Sequence, residues 1–145
     1  MGFYSKYNII IVTALCMLTT QFIKIINFYI TNKRFNFIRL FETGGIPSSH
    51  AASSVTLTTL LFLKEGAKSS IFALALYLTI FIIYEAGGVR RHAGRQAMIL
   101  NTIIEEIYRN KPVKEEKLKE LIGHTPVEVF VGILYGFFFA LALYR

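Results

Sequence analysis

Several features that many proteins carry are scarce in this sequence. It has one cysteine among 145 residues, which excludes an intramolecular disulfide, and Cys16 lies in an apolar segment where a packed small side chain is its simplest role. No repeat with a period of about 20 to 50 residues and no low-complexity linker is visible, so we predict a single domain over residues 1–145. Acidic residues are few, nine against 16 lysines and arginines, and the net charge is +7.

Apolar residues are abundant instead. They form 54% of the chain, which is too apolar for an ordinary soluble domain. Residues 7–30, 50–63, 70–87 and 126–144 are predicted transmembrane helices, since a bilayer requires about 20 apolar residues. The second segment is the weakest, because it is short and rich in Ser and Thr, and the first lacks the cleavage pattern of a secretory signal. The expected fold is an all-α integral membrane bundle with about four spans.

The charged residues occupy the connections between the apolar segments, so anionic lipid headgroups are a nearer match for the positive charge than nucleic acid. Residues 95–109 show helical apolar spacing and predict an amphipathic surface helix, and residues 113–122 predict a second, charged one. Most lysines and arginines fall on the side that holds these helices. The positive-inside rule predicts this side to be cytoplasmic, although basic residues kept for binding an anion would produce the same asymmetry.

Polar residues interrupt the apolar pattern at three places. The first is Lys24, where an ammonium within a span either faces a polar partner or extends to the interface. The second is TGGIPSSH, before the second span. Pro47 suits the first turn of a helix, and Ser48 or Ser49 can cap its amides. Those amides also form an anion site, and His50 is left without a role in folding.

The third place is GHTPVE, before the last span. Thr125 as N-cap, Pro126 as the first helical residue and Glu128 two residues later predict a capping box. That box leaves His124 unexplained. Because Glu128 lies four residues after His124, its carboxylate could instead hold the ring Nδ1 proton and leave Nε2 as a nucleophile or a base.

A basic pair lies between the two histidine motifs. Arg90 and Arg91 follow the third span, on the side of the membrane where both histidines are predicted. Arginines at a membrane surface are often topology anchors. Combined with Lys24, two helix N-termini and two histidines, however, they form the electropositive cluster that phosphoryl transfer without a metal needs.

Together these motifs resemble those of the type 2 phosphatidic acid phosphatase superfamily, which includes vanadium-dependent haloperoxidases, and specifically its small divergent membrane branch. PSSH is similar to the motif Pro-Ser-Gly-His, with Ser49 in place of glycine. The third motif of the superfamily ends in a histidine with an aspartate four residues later. HTPVE is similar to this end, with Glu128 in place of aspartate. The divergent branch likewise carries Gly-Val-Arg-Arg well before Gly-His-x-Pro-x-Glu. The first motif of the superfamily is a lysine with Arg-Pro downstream. Lys24 resembles that lysine, but no Arg-Pro follows it, and Lys33 and Arg34 are the nearest basic residues.

The resemblance implies a lipid phosphatase that needs no metal and no cofactor. His124 would attack the phosphorus, Glu128 would orient its ring, and His50 would protonate the leaving oxygen. The expected substrate is an amphiphilic lipid phosphate, either a phospholipid phosphate or an isoprenoid phosphate or diphosphate, in the cell membrane. The residues expected to bind the phosphate are Lys24, Arg90, Arg91, Ser48 and Ser49, with Lys33, Arg34 and His92 as weaker candidates.

Three alternatives are left open. The chain could be an inactive membrane scaffold or lipid-phosphate-binding protein, because two motif positions depart from the pattern. It could hold a metal at its three histidines, although no His-Glu-x-x-His motif accompanies them. It could also be a small transporter or packing subunit, as the GxxxG pair Gly132 and Gly136 suggests. That pair equally fits close packing within the bundle or in a homodimer.

Overall fold

The computed structural model describes residues 9–33, 44–87, 89–107 and 124–144, without the side chains of residues 89–93, 95 and 106. Every regular element in these ranges is an α-helix, so the all-α prediction is confirmed. The helices are α1 (Ile9–Asn32), α2 (Ser49–Glu65), α3 (Ser70–Gly87), α4 (Val89–Ile107) and α5 (Pro126–Leu143).

The four predicted spans correspond to α1, α2, α3 and α5, with ends that differ by two residues or fewer. Helices α1 and α5 are each long and apolar enough to cross a membrane. Helix α2 has 17 residues and is therefore about 25 Å long, against about 30 Å of hydrocarbon in a bilayer. Two of the four helices thus meet the requirements of a span, and the crossing by α2 and α3 stays a prediction.

Helix α4 begins earlier than the predicted start at residue 95. It starts at Val89, two residues after α3 ends, so Arg90 and Arg91 belong to its first turn and not to a connection. The apolar spacing used for the prediction begins only at Met98, whereas the preceding arginines, alanine and glutamine are themselves favourable in a helix. The predicted helix over 113–122 lies outside the described residues.

Helix α2 is the centre of the bundle and packs against α1, α3 and α5. Its hydroxyl groups connect these neighbours. Thr56 Oγ1 donates to the carbonyl of Gly136 at 3.0 Å, and the hydroxyls of Thr58 and Thr79 lie 2.7 Å apart. The Thr79 hydroxyl also donates to the carbonyl of Ser54 at 3.1 Å. The Ser and Thr residues that make α2 a weak span in the sequence therefore serve as hydrogen-bonding groups between helices.

The contact between α2 and α5 depends on the glycines of the GxxxG pair. A Cβ atom added at Gly132 would lie 2.7 Å from the carbonyl oxygen of Ser48, and one at Gly136 would overlap the carbonyl group of Ala52. The backbone of α5 thus lies directly on the backbone of α2. The pair serves close packing inside this bundle.

The exterior of the bundle is apolar and its centre contains mainly small side chains. Phe22 on α1, Tyr77 on α3 and Phe138 on α5 are each more than half exposed, whereas Ala51 and Ala52 on α2 are fully buried. Large apolar side chains are normally the most buried in a soluble domain. An exterior of this kind is suited to contact with lipid chains.

Candidate active site

Two backbone hydrogen bonds bring the histidine motifs together at one end of the bundle. The amide of Ser48 donates to the carbonyl of Glu128 at 3.0 Å, which joins the start of α2 to the first turn of α5. The amide of His124 donates to the carbonyl of Ala86 at 3.0 Å, which joins the segment before α5 to the end of α3. The two motifs, 74 residues apart in sequence between His50 and His124, are neighbours in space.

One carboxylate oxygen performs both roles predicted for Glu128. Its Oε2 lies 3.0 Å from His124 Nδ1 and also accepts the amide of Thr125 at 3.1 Å. The Glu128 amide in turn donates to Thr125 Oγ1 at 3.3 Å, which completes the capping box. An ionised carboxylate only accepts hydrogen bonds, so Nδ1 carries the proton in this contact. The lone pair of the neutral ring is then on Nε2, at the opposite edge from Glu128.

The two histidine rings are neighbours in the site and meet edge to face. Their centroids are 6.0 Å apart and their planes meet at 62°. His124 is almost completely buried, with 1% of its surface exposed, while His50 is half-buried at the start of α2. Nδ1 of His124 is held by Glu128, and the Nε2 atom of this ring is buried from solvent. A substrate must displace some of the surrounding groups to reach it.

Lys24 faces a partner inside the bundle and does not extend to the interface. Its side chain is buried, and its Nζ donates to Ser49 Oγ at 3.2 Å. The backbone of Gly45, with φ of 100°, passes beside the Lys24 stem, where a Cβ at Gly45 would lie 3.6 Å from Cγ. The ammonium is therefore held at the start of α2. Ser49, the residue that departs from the Pro-Ser-Gly-His pattern, supplies the contact.

The predictions for the start of α2 are partly wrong. Ser48 is the N-cap, and its Oγ accepts the amide of Ala51 at 3.4 Å. Pro47 was predicted to lie in the first helical turn, but it precedes the cap because Ser48 is still extended. Ser49 does not act as a cap, since it is the first helical residue and its hydroxyl contacts Lys24.

Two cavities lie at this end of the bundle. One, of about 470 Å³, is lined by Lys24, Asn27, Gly45 and Glu128 together with other residues from the end of α1 and from the segment before α2. The other, of about 300 Å³, lies between α2 and α3 and is lined by His50, Ser53, Ser54, Ile82, Glu85 and Ala86. The first cavity reaches the carboxylate that holds His124, and the second reaches His50.

The sequence did not indicate the roles of Asn27 and Glu85. Asn27 Nδ2 donates to the carbonyl of Ile46 at 3.1 Å and so holds the segment before α2 against α1. It lies three residues after Lys24 on one helix face, a spacing that could have identified it. Glu85 has no motif around it that points to a role, and its position in one cavity with His50 follows from the packing of α3 on α2.

The remaining candidates do not contribute described contacts to the site. Lys33 is exposed beyond the end of α1, and Arg34 lies outside the described residues. Arg90, Arg91 and His92 lie at the start of α4, but their side chains are not among those described, so their roles stay predictions. Within the described ranges, no group of three His, Cys, Asp or Glu side chains could hold a metal ion.

Comparison with known proteins identifies the family. The sequence profile of the Divergent PAP2 family matches residues 5–139, which include both histidine motifs and the arginine pair. The chain belongs to the Divergent PAP2 family. The resemblance read from PSSH and HTPVE is thereby confirmed.

One relative of this Divergent PAP2 protein is the uncharacterized membrane protein YuiD of Bacillus subtilis (strain 168). It is 37% identical over 134 residues, and the alignment covers 85% of each chain. No solved structure matches this chain. Membership of the Divergent PAP2 family establishes a relationship, and the chemistry must be argued from the site.

Proposed function

We propose that this protein is a metal-independent membrane phosphatase that hydrolyses a lipid phosphate through a phosphohistidine intermediate on His124. The observation that carries the proposal is the 3.0 Å contact between His124 Nδ1 and Glu128 Oε2, in a ring whose centroid lies 6.0 Å from that of His50. A ring held in this way by a carboxylate has one defined tautomer and one nucleophilic nitrogen. The apolar exterior and the two long apolar helices support placement in a membrane.

In the first step, the Nε2 lone pair of His124 attacks the phosphorus, and the bond from phosphorus to the leaving oxygen breaks. His50 donates its proton to that oxygen, so the product is an alcohol, or a lipid monophosphate when the substrate is a diphosphate. Glu128 stabilises the positive charge that develops on the His124 ring. The ring centroids, 6.0 Å apart, are at contact distance, so the transferred phosphoryl group lies between the two rings only after one of them moves aside.

In the second step, water attacks the phosphorus and the bond to Nε2 breaks. Neutral His50 accepts a proton from the water, inorganic phosphate leaves, and both rings return to their initial protonation states. The negative charge on the three equatorial oxygens is stabilised by Lys24 and by the amides at the start of α2. Arg90 and Arg91 are further proposed phosphate ligands, on the strength of their sequence position.

The test separates the two histidines by using a leaving group that needs no proton. Phosphate release from phosphatidic acid and from p-nitrophenyl phosphate is measured in detergent micelles containing a chelator. His124→Ala is expected to abolish release from both substrates. His50→Ala is expected to lower release from the lipid by about 10²–10⁴-fold, the usual size of a general acid–base contribution. His50→Ala should slow the first step on p-nitrophenyl phosphate much less, because p-nitrophenolate leaves without protonation.

Radiolabelled substrate provides a second measurement of the same mechanism. His50→Ala should accumulate an acid-labile, alkali-stable phosphoprotein, because the second step loses its base, and His124→Ala should form none. Glu65→Gln, an exposed glutamate at the far end of α2, is the control for purification and detergent effects. Equal phosphate release by His124→Ala and the wild type would exclude the mechanism.

A non-catalytic role in binding lipid phosphate is the second candidate, because Lys24 and Ser49 form a buried contact whether or not hydrolysis occurs. It predicts saturable binding of phosphatidic acid that is weakened in Lys24→Met, without phosphate release by the wild type. Catalytic turnover by the wild type would exclude it as the sole function.

A further inference from the structure

The cavity between α2 and α3 is built from two matching helix faces. His50, Ser53 and Ser54 are spaced i, i+3, i+4 on α2, and Ile82, Glu85 and Ala86 have the same spacing on α3. One turn before Ile82 on α3, the hydroxyl of Thr79 donates to the carbonyl of Ser54 at 3.1 Å and lies 2.7 Å from the hydroxyl of Thr58. These bonds hold α3 at a defined distance from α2.

This cavity is where the leaving group of the proposed reaction would lie. In an in-line displacement, the leaving oxygen is on the side of the phosphorus opposite to His124 Nε2. His50 protonates that oxygen, and His50 lines this cavity while His124 does not. The transferred phosphoryl group is therefore on the His124 side of His50, and the departing part of the substrate extends along the groove.

The polar lining of the cavity is rich in hydrogen-bond acceptors. Glu85 contributes a carboxylate, and Ser53 already donates its proton to the carbonyl of Ser49 at 2.8 Å, which leaves its oxygen as an acceptor. No lysine or arginine is among the described residues that line it. Ile82 lies one turn from Ala86, toward the middle of α3, and provides an apolar wall for carbon atoms next to the leaving oxygen.

We propose that Glu85 is a specificity-determining residue that selects phosphate monoesters over diphosphates. The inference rests on the proposed phosphatase function. A monoester leaves as an alcohol, which is neutral and donates a hydrogen bond that the carboxylate can accept. A diphosphate leaves as a lipid monophosphate, whose negative charge would lie in the same 300 Å³ cavity as Glu85. Like charges placed together in one cavity repel each other, so the carboxylate acts against that class of substrate.

The test compares farnesyl monophosphate with farnesyl diphosphate, which share one lipid chain, in detergent micelles. The ratio of kcat/KM for the monophosphate to kcat/KM for the diphosphate is the readout, with the monophosphate product of the diphosphate quantified by chromatography. We expect this ratio to exceed about tenfold in the wild type, equivalent to about 1.4 kcal/mol. A wild type that prefers the diphosphate would overturn the proposal, and this arm does not require any variant to fold.

Variants of Glu85 then assign the selectivity to its charge. In Glu85→Gln the ratio should fall about tenfold, equivalent to about 1.4 kcal/mol, because the negative charge is removed while the side-chain shape is kept. Glu85→Asp and the distant control Glu65→Gln should keep the wild-type preference for the monophosphate. Since the readout is a ratio for each variant, a general loss of stability would lower both rates and leave it unchanged.

The outcomes distinguish this inference from the function on which it rests. A ratio in Glu85→Gln that is unchanged, or that rises, overturns the role of Glu85 while the phosphatase stands. A wild type that hydrolyses neither substrate, nor phosphatidic acid, overturns the phosphatase and with it the inference.

Discussion

At the scale of single residues, the two departures from the superfamily pattern have defined places in the structure. Glu128 replaces aspartate, and one of its two carboxylate oxygens, Oε2, contacts both His124 Nδ1 and the Thr125 amide. Ser49 replaces glycine, and its hydroxyl accepts from Lys24 at 3.2 Å. Neither substitution leaves the site without the contact that the mechanism needs. Both substitutions are therefore compatible with the proposed mechanism, and Ser49 provides the sharper test.

Ser49→Ala is predicted to lower phosphatase activity through Lys24. The variant keeps the helix start but removes the acceptor that positions a buried ammonium, which we expect to reduce kcat/KM about tenfold, or about 1.4 kcal/mol of transition-state stabilisation. The measurement is a double-mutant cycle with Lys24→Met. Because Ser49 acts through Lys24, adding Ser49→Ala to Lys24→Met should have no further effect. Independent, additive losses would contradict this role.

The stability of each variant in this cycle should also be measured by thermal unfolding in detergent. Removing a hydrogen bond to a charged group typically costs about 1.5–3 kcal/mol of stability when the charge stays buried. Ser49→Ala is therefore expected to be less stable than the wild type. Lys24→Met should recover part of this loss in the double variant, since no buried charge then remains.

At the scale of helices, the decisive contact is the one between α2 and α5. Gly132 and Gly136 allow the two backbones to touch, and the Thr56 hydroxyl donates to the carbonyl of Gly136 across the same contact. This contact sets the position of Glu128 relative to the start of α2, where the Ser48 amide donates to the Glu128 carbonyl. Close helix packing and site geometry are thus determined by the same surface.

Gly136→Ala is predicted to destabilise the bundle, although alanine is the better helix former. The intrinsic gain is about 1 kcal/mol, but the added methyl group would overlap the backbone of Ala52, which cannot move aside without separating the helices. Overpacking of this kind costs about 1–3 kcal/mol or more. Denaturant unfolding in detergent micelles should show a net loss of stability.

The matched control for this substitution is Gly44→Ala, where nothing lies within 4 Å of the added Cβ. A surface substitution of this type should change stability by less than about 0.5 kcal/mol. Equal effects at both glycines would show that the close approach of α5 to α2 is not what limits the size of residue 136.

At the scale of the whole molecule, the site lies at one end of the bundle and the turn between α2 and α3 lies at the other. The ends of α1 and α3 and the starts of α2 and α5 meet at the site end, where Ala86, Ser48, His124 and Glu128 are joined by backbone bonds. The sequence predicts that this end is cytoplasmic, because most lysines and arginines belong to its connections.

Orientation is testable with single introduced cysteines. Lys33→Cys at the site end and Lys68→Cys in the turn between α2 and α3 are both at exposed positions, while the native Cys16 is fully buried. A membrane-impermeant maleimide applied to intact cells should label Lys68→Cys, and should label Lys33→Cys only after permeabilisation. The wild type, whose single cysteine is buried, is the control for background labelling. The reverse pattern would place the site on the outer face.

Much of the fold could be predicted, because long apolar segments in a membrane-like composition have few structural alternatives. The ends of α3 agree with the predicted 70–87, and the capping box of α5 could be read from Thr125, Pro126 and Glu128. The start of α4 was predicted six residues late, because helix formation there depends on intrinsic propensity and not on apolar spacing. Pro47 was predicted to lie in the first turn of α2 but precedes the helix, since sequence alone does not show which residue takes the extended cap conformation.

The sequence by itself determined the helical class, the family and the identity of the two histidines with their carboxylate partner. These features are local: apolar runs specify helices, and His124 and Glu128 are four residues apart across the start of α5, where they meet without help from the rest of the chain. Only the tertiary structure decided that Lys24 is held by Ser49, that Ala86 anchors His124, and that Glu85 lies in a cavity beside His50. Those contacts join different helices, and their geometry follows from how the glycines and hydroxyls of the bundle allow the backbones to pack.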